Sequence, residues 1–182
     1  GKNTLFVCKG AAFKEEYFRD VCRQGILAYV SETAYGETDP AIASFLVQDI
    51  RKAMPVIADL YYNRAWEELN LIGITVTKGK STTAYYVKYI LDAYLLDHQK
   101  NRSGIISSID TYDGVIQEES HLTTPEAMDL HMHFRNAVNS HIEYMEMEVS
   151  SQALKYDRVD GITFDVGVYI NISEDHISPL EH

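Results

Sequence analysis

The sequence predicts an α/β fold built around parallel β-sheet, and two observations support this prediction. Short apolar segments with strand character alternate with longer segments whose apolar residues recur at helical spacing. Strands that are separated by helices pair in parallel through right-handed crossovers. In addition, GITVTKGKSTTAYYVKYIL at residues 73–91 has the pattern of a strand, a tight glycine loop and a helix. The length of 182 residues is enough for one large domain or two small ones.

The first 66 residues are predicted to form a small domain of three strands and two helices. The three strands are expected at residues 4–8, 26–30 and 44–47. A helical stripe of apolar residues at 13–24, closed by Gly25, predicts the first helix. Asp49 is suited to cap the second helix, which we expect to reach about residue 63 although it contains Pro55.

The remaining residues, 67–182, are predicted to begin a second α/β domain. A polar connector at residues 64–70 carries the only tryptophan, and we place the domain boundary in it. Strands are expected at residues 71–75, 105–106, 143–149 and 164–170. Helices are expected from the glycine loop to about residue 98, from about 125 to 138, and at 150–156. The polar sequence at residues 111–114 predicts a turn.

Residues 123–126 carry a strong signal for a helix start. Thr123 or Thr124 can cap the helix, and Pro125 suits its first position. Glu126 stands three residues after Thr123, which is the spacing of a capping box. The two threonines therefore have a complete structural explanation, which is an alternative to any role in binding.

Composition and charge exclude several classes of protein. The net charge is −11, whereas proteins that bind the nucleic-acid backbone carry clustered Lys and Arg. No apolar run approaches about 18 residues, so we expect no membrane span. The first residues lead directly into a strand-like stretch without a secretory pattern, and we expect a cytoplasmic location. Cys8 and Cys22 lack metal-type spacing and are interpreted as buried, reduced thiols.

The loop at residues 76–79 is predicted to bind phosphate. Backbone N–H groups at a helix N-terminus point toward a bound anion, and the helix dipole favours negative charge there. Lys80 would reach the β- and γ-phosphates of a nucleoside triphosphate, and the Ser81 hydroxyl would hold Mg²⁺. The strict phosphate-loop pattern is not met, because Ile74 stands at its first glycine. From spacing alone, an incidental Gly-Lys turn is the alternative.

Val76 raises a separate question about the loop. A β-branched residue is strained where the backbone needs a positive φ, and its side chain can block the close approach of a phosphate. If the backbone at Val76 is extended, valine costs little. If it is left-handed, the loop is reshaped.

Four co-linear segments resemble the Mur ligase family, and together they cover nearly the whole chain. The loop is similar to that family's G-I-T-G-T-x-G-K-[ST]-T-T, with Val76 at its second glycine. HLTTPEAMDL at residues 121–130 and MEVSSQALKYDRVDGITFDVGVYINISEDH at residues 147–176 resemble two further motifs. NTLFVCKG with GILAYVSE is similar to the family's N-terminal domain. The resemblance is strongest to the branch that adds the third amino acid to the UDP-N-acetylmuramoyl-dipeptide precursor of peptidoglycan.

The resemblance implies a fold and an activity. Residues 1–66 would be a small N-terminal UDP-substrate-binding-like α/β domain, and residues 67–182 would be part of a P-loop-type parallel-sheet ATP-binding domain. In this family ATP phosphorylates the terminal carboxylate of the growing peptide, and the amine of an amino acid then displaces the phosphate to form an amide. A C-terminal domain that grips the amino acid has no counterpart in the sequence, so we expect this chain to be inactive alone.

The resemblance also assigns roles to residues. The ATP phosphates would be contacted by Thr77, Gly79, Lys80, Ser81 and Thr82, with Lys80 as the catalytic cation. The magnesium ions would be held by Ser81, Glu148 and His176. The UDP-muramoyl-peptide would face Thr123, Thr124, Ser150 and Arg158, although Arg158 alone could equally be a surface ion-pairing residue. Two neighbours depart from the family, because Leu122 stands where asparagine is usual and Tyr156 where glutamine is found.

Two other hypotheses remain open. A non-catalytic binding or scaffolding relative would keep the fold and would have lost tight ATP binding through Val76. A different ATP-dependent ligase, of the folate-polyglutamate or cyanophycin type, would share the loop. The N-terminal segment and the T-T-P and M-E-V-S-S segments argue against that last possibility.

Overall fold

The structure is a computed structural model and describes residues 3–10, 13–36 and 39–171. The predicted α/β class is confirmed, since parallel sheets and helices alternate along the chain. The chain divides into two compact units, Gly1–Ala53 and Met54–His182. This division falls within a helix, and the boundary expected between residues 66 and 67 stays a prediction. No helix in the described residues is long and apolar enough to cross a bilayer.

The first unit contains a parallel sheet of three strands in the order β1-β2-β3. Its elements are β1 (Leu5–Val7), α1 (Glu15–Arg23), β2 (Ala28–Ser31) and β3 (Ala43–Leu46). Phe18 of α1 and Tyr29 of β2 form the centre of its core, with ring centroids 4.6 Å apart. The next helix, α2 (Ile50–Tyr61), is capped as predicted, because the Asp49 carboxylate accepts the Arg51 N–H at 2.8 Å. Cys8 and Cys22 are free thiols, and both are only half-buried.

The second unit contains a sheet of six strands in the order β7-β6-β5-β8-β4-β9. A 3₁₀ turn at Ala65–Glu68 precedes the sheet. The elements are β4 (Asn70–Thr75), α3 (Lys80–Asp97), β5 (Gly104–Ile106), β6 (Asp110–Tyr112), β7 (Gln117–Glu119), α4 (Ala127–Asn139), β8 (Tyr144–Glu148), α5 (Ser151–Lys155) and β9 (Val166–Tyr169). Strands β5, β8, β4 and β9 are parallel, whereas β5, β6 and β7 are antiparallel.

Two local predictions for this unit are wrong. Thr111 and Tyr112 belong to β6 and not to a turn, which instead begins at Asp113 and leads into β7. The capping box at Thr123 does not form, because α4 begins at Ala127 with Glu126 as its N-cap and without a side-chain cap. The Thr124 hydroxyl is used elsewhere, in contacts with β8 and the residue that follows it.

Side chains of the central strands alternate between two cores on opposite faces of the sheet. On one face, Ile72, Ile74 and Ile105 pack with Ala84 of α3. The other face buries the residues Leu71, Leu130, Phe134, Met145 and Met147, two of which come from α4. The register pairs Ile74 with Glu148, so β4 and β8 end side by side. The polar residues that follow these strands are therefore gathered at one edge of the sheet.

A buried polar layer lies within the second unit. Glu146 of β8 is fully buried, and no described residue forms a hydrogen bond with either of its carboxylate oxygens. Burial raises the pKa of Glu146 to about 7, although the nearby Ser103 side chain and the positive charge of Lys88 lower that pKa to a smaller extent. Lys88 itself donates to the Ser103 carbonyl at 2.6 Å and pairs with Asp92 at 3.1 Å. Its charge is therefore shared among several acceptors.

The raised pKa of Glu146 predicts a pH-dependent stability. Below about pH 4.5 the carboxyl is protonated in both the folded and the unfolded chain, and it costs nothing. As the pH rises toward 7, only the unfolded chain releases the proton freely, so stability is lost. The unfolding free energy of Glu146→Gln minus that of the unmodified chain should rise by about 2.5 kcal/mol from pH 5 to pH 8. Urea unfolding of both proteins at both pH values measures this difference, and a difference that does not change with pH would contradict it.

Candidate phosphate-binding site

The loop between β4 and α3 has the geometry of an anion site. Gly79 adopts a φ of 94°, which glycine tolerates without strain, and α3 begins at the next residue. The backbone N–H groups in the first turn of α3 have no acceptor in a preceding turn, so they are available to an anion. The Lys80 ammonium folds back over the loop and donates to the Val76 carbonyl at 2.8 Å. The Lys80 ammonium and the N-terminus of α3 therefore lie close together at the loop.

Val76 fits the loop without backbone strain. It is not one of the described residues that adopt a positive φ, so the conformation that would penalise valine is absent at this position. Its side chain is buried, with 6% of its surface exposed, while its carbonyl is the group that contacts Lys80. The left-handed alternative raised by the sequence is therefore excluded, and Val76 does not by itself reshape the loop.

Asn171, which follows β9, holds the loop from the other side. Its carboxamide oxygen accepts the N–H groups of Thr77 at 3.1 Å and of Lys78 at 3.2 Å. Its amide group donates to the Lys78 carbonyl at 3.0 Å. These three hydrogen bonds fix the middle of the loop and engage two backbone donors that the sequence had left available for phosphate. Asn171 lies in the segment that suggested the family, but sequence reasoning gave it no role.

A single serine links Glu148 to the N-terminal end of α3, which we call the mouth of the site. Glu148 is the last residue of β8 and is 1% exposed, and its carboxylate accepts the Ser108 N–H at 3.0 Å. The Ser108 hydroxyl lies 3.4 Å from the same carboxylate oxygen and 2.8 Å from the Ser81 hydroxyl. Ser81 and Glu148, which are 67 residues apart in sequence, are therefore linked by one hydroxyl group. Sequence reasoning missed Ser108, which lies outside the segments that suggested the family.

The side chains at this mouth are suited to one class of metal ion. Hydroxyl and carboxylate oxygens are hard ligands, and Mg²⁺ binds to one or two of them while it retains water and phosphate oxygens. No group of three or more His, Cys, Asp or Glu side chains that could hold a metal occurs in the part of the chain that the structure describes. Ser81 and Glu148 thus fit an ion that is shared with a phosphate, and not one enclosed by protein alone. His176 lies outside the described residues.

A cavity of about 710 Å³ opens at this mouth. Its lining includes seven of the predicted site residues, namely Gly79, Lys80, Ser81, Thr123, Glu148, Ser150 and Arg158. Leu122 and Tyr156, the two departures from the family pattern, line it as well. Thr77, Thr82 and Thr124 do not belong to its lining. The cavity thus brings together residues from four separate stretches of the second unit.

Thr124 is buried behind the cavity and not at its surface. Its hydroxyl donates to the Glu148 carbonyl at 2.8 Å and accepts the Ser150 N–H at 3.0 Å. The Ser150 hydroxyl in turn caps α5 by accepting the Ala153 N–H at 3.1 Å. Thr124 therefore positions the backbone on both sides of Val149, whereas Thr123 lines the cavity directly.

Three basic side chains, here called the basic wall, belong to the lining of the cavity. Arg158 donates to the Thr124 carbonyl at 3.0 Å and pairs with Glu126 at 2.6 Å. Its Nε–H is buried, and no described residue accepts a hydrogen bond from it. Lys155, which sequence reasoning did not single out, also lines the cavity. Because Lys80 completes the set, three cations face the space, and the wall favours an anionic ligand.

Comparison with protein families matches a large part of the chain to a known domain. The model described as "Mur ligase middle domain" matches residues 74–181, which is more than half of the chain. The matched segment contains every residue that lines the 710 Å³ cavity.

Two curated relatives match nearly all of the chain. UDP-N-acetylmuramyl-tripeptide synthetase of Bifidobacterium longum (strain NCC 2705) is 44% identical over 180 residues, which are 98% of this chain and 34% of the relative. UDP-N-acetylmuramoyl-L-alanyl-D-glutamate--L-lysine ligase of Streptococcus agalactiae serotype V is 45% identical over 181 residues, 99% of this chain and 36% of the relative. The chain thus spans about a third of the length of the curated relatives it matches.

Solved structures share the fold. A UDP-N-acetylmuramoyl-L-alanyl-D-glutamate--2,6-diaminopimelate ligase superposes with a TM-score of 0.69 at 22% identity, over 98% of this chain and 36% of that one. MurF from Acinetobacter baumannii gives a TM-score of 0.53 at 21% identity, over 95% and 33% of the two chains. At these identities the likeness concerns the fold alone.

The two adjacent threonines predict different responses to the same substitution. Thr124→Val removes a buried hydroxyl and leaves the Ser150 N–H and the Glu148 carbonyl without that partner, so it should lower the unfolding free energy by about 1–3 kcal/mol. Thr123→Val, at the partly exposed neighbour, should change it by less than about 0.5 kcal/mol. Urea unfolding of both variants tests this contrast. Equal losses in the two variants would show that the Thr124 contacts do not stabilise the fold.

Proposed function

This chain belongs to the Mur ligase family, and we propose that it is part of an ATP-dependent ligase that adds an amino acid to a UDP-N-acetylmuramoyl-peptide in peptidoglycan precursor synthesis. One observation carries the proposal, which is the link from Ser81 at the start of α3 through Ser108 to the buried Glu148 carboxylate. A phosphate loop needs a cation-binding carboxylate at this position if the charge of a bound triphosphate is to be neutralised. The relatives' names supply the substrates in the proposal.

In the proposed site the first turn of α3 would hold the phosphates of ATP. Backbone N–H groups near Gly79, Ser81 and Thr82 would donate to the phosphate oxygens. Lys80 would exchange its bond with the Val76 carbonyl for the β- and γ-phosphates, and we propose it as the catalytic cation. Thr77 would contribute through the loop backbone, whose conformation Asn171 fixes.

The metal ion in the proposal is Mg²⁺, and Ser81 and Glu148 would hold it. When bound, MgATP supplies a transferable phosphoryl group that activates a carboxylate as an acyl phosphate. The protein's own contribution is to hold these groups in position. The Ser108 N–H orients the Glu148 carboxylate through a hydrogen bond of 3.0 Å. His176 is proposed as a further ligand on the strength of the resemblance alone.

The peptide substrate is anionic, and the basic wall of the cavity suits it. Arg158 has a buried Nε–H that lacks an acceptor among the described residues, and an anion at this place would provide one. Thr123 and Ser150 line the same cavity and could donate to a diphosphate or to a carboxylate. Thr124 is proposed to act indirectly, by holding Ser150 and Glu148 in place.

Binding of MgATP to this chain tests the proposal by calorimetry. We expect Lys80→Ala to weaken binding by about 10- to 100-fold, because a hydrogen bond between charged groups is worth about 1.5–3 kcal/mol. Val76→Gly should change affinity by less than about threefold, since Val76 has no positive φ to relieve. Lys78→Ala is the matched control, because Lys78 is an exposed lysine whose known contacts in the loop are made by its backbone.

Other results would separate the rival functions. Binding that occurs only after Val76→Gly would favour the non-catalytic relative with a degenerate loop. Absence of binding in every variant, with the fold intact, would overturn the phosphate site. For the full-length protein, amino-acid-dependent release of phosphate from ATP in the presence of the UDP-N-acetylmuramoyl-dipeptide tests the ligase reaction itself, and Glu148→Gln should abolish that release.

A further inference from the structure

One face of α3 contacts the segment between β5 and β6 at two places. We call residues 107–110 the β5–β6 loop, since they connect these two antiparallel strands. The Ser81 hydroxyl lies 2.8 Å from the Ser108 hydroxyl, and the Tyr85 hydroxyl donates to the Asp110 carboxylate. Because Ser81 and Tyr85 are four residues apart, they lie on the same face of the helix. Two successive turns of α3 therefore hold the same loop.

The β5–β6 loop is closed on itself by hydrogen bonds of Ser107. The Ser107 hydroxyl accepts the N–H groups of Ile109 at 3.1 Å and of Asp110 at 3.0 Å. The Ser107 N–H and hydroxyl both donate to the Asp110 carbonyl, at 3.0 Å and 2.9 Å. Ser107 is fully buried, and hydrogen bonds are stronger where water is excluded. A displacement of Asp110 would therefore move the loop as a unit and carry Ser108 with it.

Ser108 is the residue through which this loop reaches the proposed metal ligands. Its N–H donates to the Glu148 carboxylate at 3.0 Å, and its hydroxyl lies beside that of Ser81. The orientation of the Glu148 carboxylate therefore depends on where the loop places the Ser108 N–H. Mg²⁺ requires near-ideal octahedral geometry, with ligands at about 2.0–2.1 Å. A small shift of the Glu148 carboxylate would thus weaken metal binding.

The contact between Tyr85 and Asp110 anchors the loop from outside the cavity. Neither residue belongs to the lining of the 710 Å³ cavity, so the contact acts on a ligand only through the loop. The Tyr85 ring packs against the core between α3 and the sheet, which fixes the position of its hydroxyl. Burial, together with the hydrogen bond to Asp110, raises the pKa of Tyr85 to about 12. The hydroxyl therefore keeps its proton and remains a donor at neutral pH.

We infer that Tyr85 and Asp110 are positioning residues for the proposed metal site. Tyr85 holds Asp110, Asp110 fixes the β5–β6 loop, and the loop orients the Glu148 carboxylate through the Ser108 N–H. The inference rests on the proposed function, because it assumes that Mg²⁺ binds here together with ATP. The contact acts on the metal and not on the phosphates as such, since the Lys80 ammonium bonds to the phosphate loop and not to the β5–β6 loop.

Calorimetry with two forms of the nucleotide tests the inference. ATP is titrated into this chain with excess Mg²⁺ and again with EDTA, and the ratio of the two dissociation constants gives the gain in affinity due to the metal. We expect Tyr85→Phe to reduce this gain about threefold to tenfold, because one hydrogen bond is lost, and to leave the metal-free affinity unchanged. Tyr86→Phe is the matched control, since Tyr86 is the next residue of α3 and is 67% exposed.

The two titrations separate a positioning role from a structural one. An equal loss of affinity with and without Mg²⁺ in Tyr85→Phe would show that the contact merely supports α3, and this would overturn the inference. An unchanged gain would also overturn it. Failure of the unmodified chain to bind ATP in either titration would instead refute the proposed function, and the positioning role with it.

Variants of Asp110 distinguish a hydrogen bond from an effect of charge. Asp110→Asn keeps an oxygen that accepts from Tyr85, so its gain should stay within about twofold of that of the unmodified chain. Asp110→Ala removes the acceptor and should reduce the gain as Tyr85→Phe does. The double variant should lose no more than either single variant, because both residues act through one contact. Additive losses, or equal losses in Asp110→Asn and Asp110→Ala, would contradict the inference.

Hydrogen exchange tests the same contact without any ligand. In the ¹⁵N-labelled chain, exchange of the Ser108 N–H with solvent is followed by NMR. It should be about threefold or more faster in Tyr85→Phe than in Tyr86→Phe, because the loop no longer holds this N–H on the Glu148 carboxylate. Urea unfolding of both variants controls for a general loss of stability. Equal exchange in the two variants would rule the positioning role out, whatever their affinities for ATP.

Discussion

Parallel pairing of β4 with β8 is the constraint on which the candidate site depends. The register places Ile74 beside Glu148, so the glycine loop and the carboxylate leave the sheet at the same edge. A slip of one residue would turn Glu148 to the opposite face and put Met147 in its place. The two methionines of β8 lie in the core beneath α4 and oppose such a slip, because they would lose that burial. Packing on one face of β8 thus fixes the chemistry on the other.

The two glutamates of β8 differ because Glu148 stands at the C-terminal end of the strand and Glu146 within it. Glu146 and Glu148 have the same residue type, strand and face, and both are buried. Glu148 stands where the strand ends, and the Ser108 backbone can reach it. Glu146 lies two residues inside the sheet, where its neighbours' backbone groups are engaged in strand pairing, and its carboxylate receives no hydrogen bond from a described residue. The buried carboxylate of Glu146 therefore lacks a hydrogen bond from a described residue, whereas that of Glu148 accepts one.

The sequence predicted those parts of the molecule that local pattern controls. The alternation of strands and helices, the loop before α3 and the Asp49 cap all follow from neighbouring residues. Local sequence does not distinguish Thr123 from Thr124. Only the hydrogen bond from Thr124 to Glu148 of β8 shows that Thr124 is a buried positioning residue, whereas Thr123 lines the cavity. Ser108, Asn171 and the hydrogen-bonded pair of Asp113 and His133 were missed for the same reason. Each of these residues acts through a partner at least 20 residues away in the sequence. In addition, Asp113 lies between β6 and β7, and these strands are too short and too polar to show a strand pattern.

Val76 illustrates why a departure from a motif does not by itself remove its function. A phosphate loop uses glycine where the backbone must be left-handed or where a side chain would meet the anion. Here the left-handed position is Gly79, while Val76 directs its carbonyl toward Lys80 and its side chain into the protein. Lys80 and Asn171 form hydrogen bonds with polar groups of the loop, and these contacts hold it in shape. A bound phosphate would have to replace only the Lys80 contact, because the amides in the first turn of α3 are already oriented.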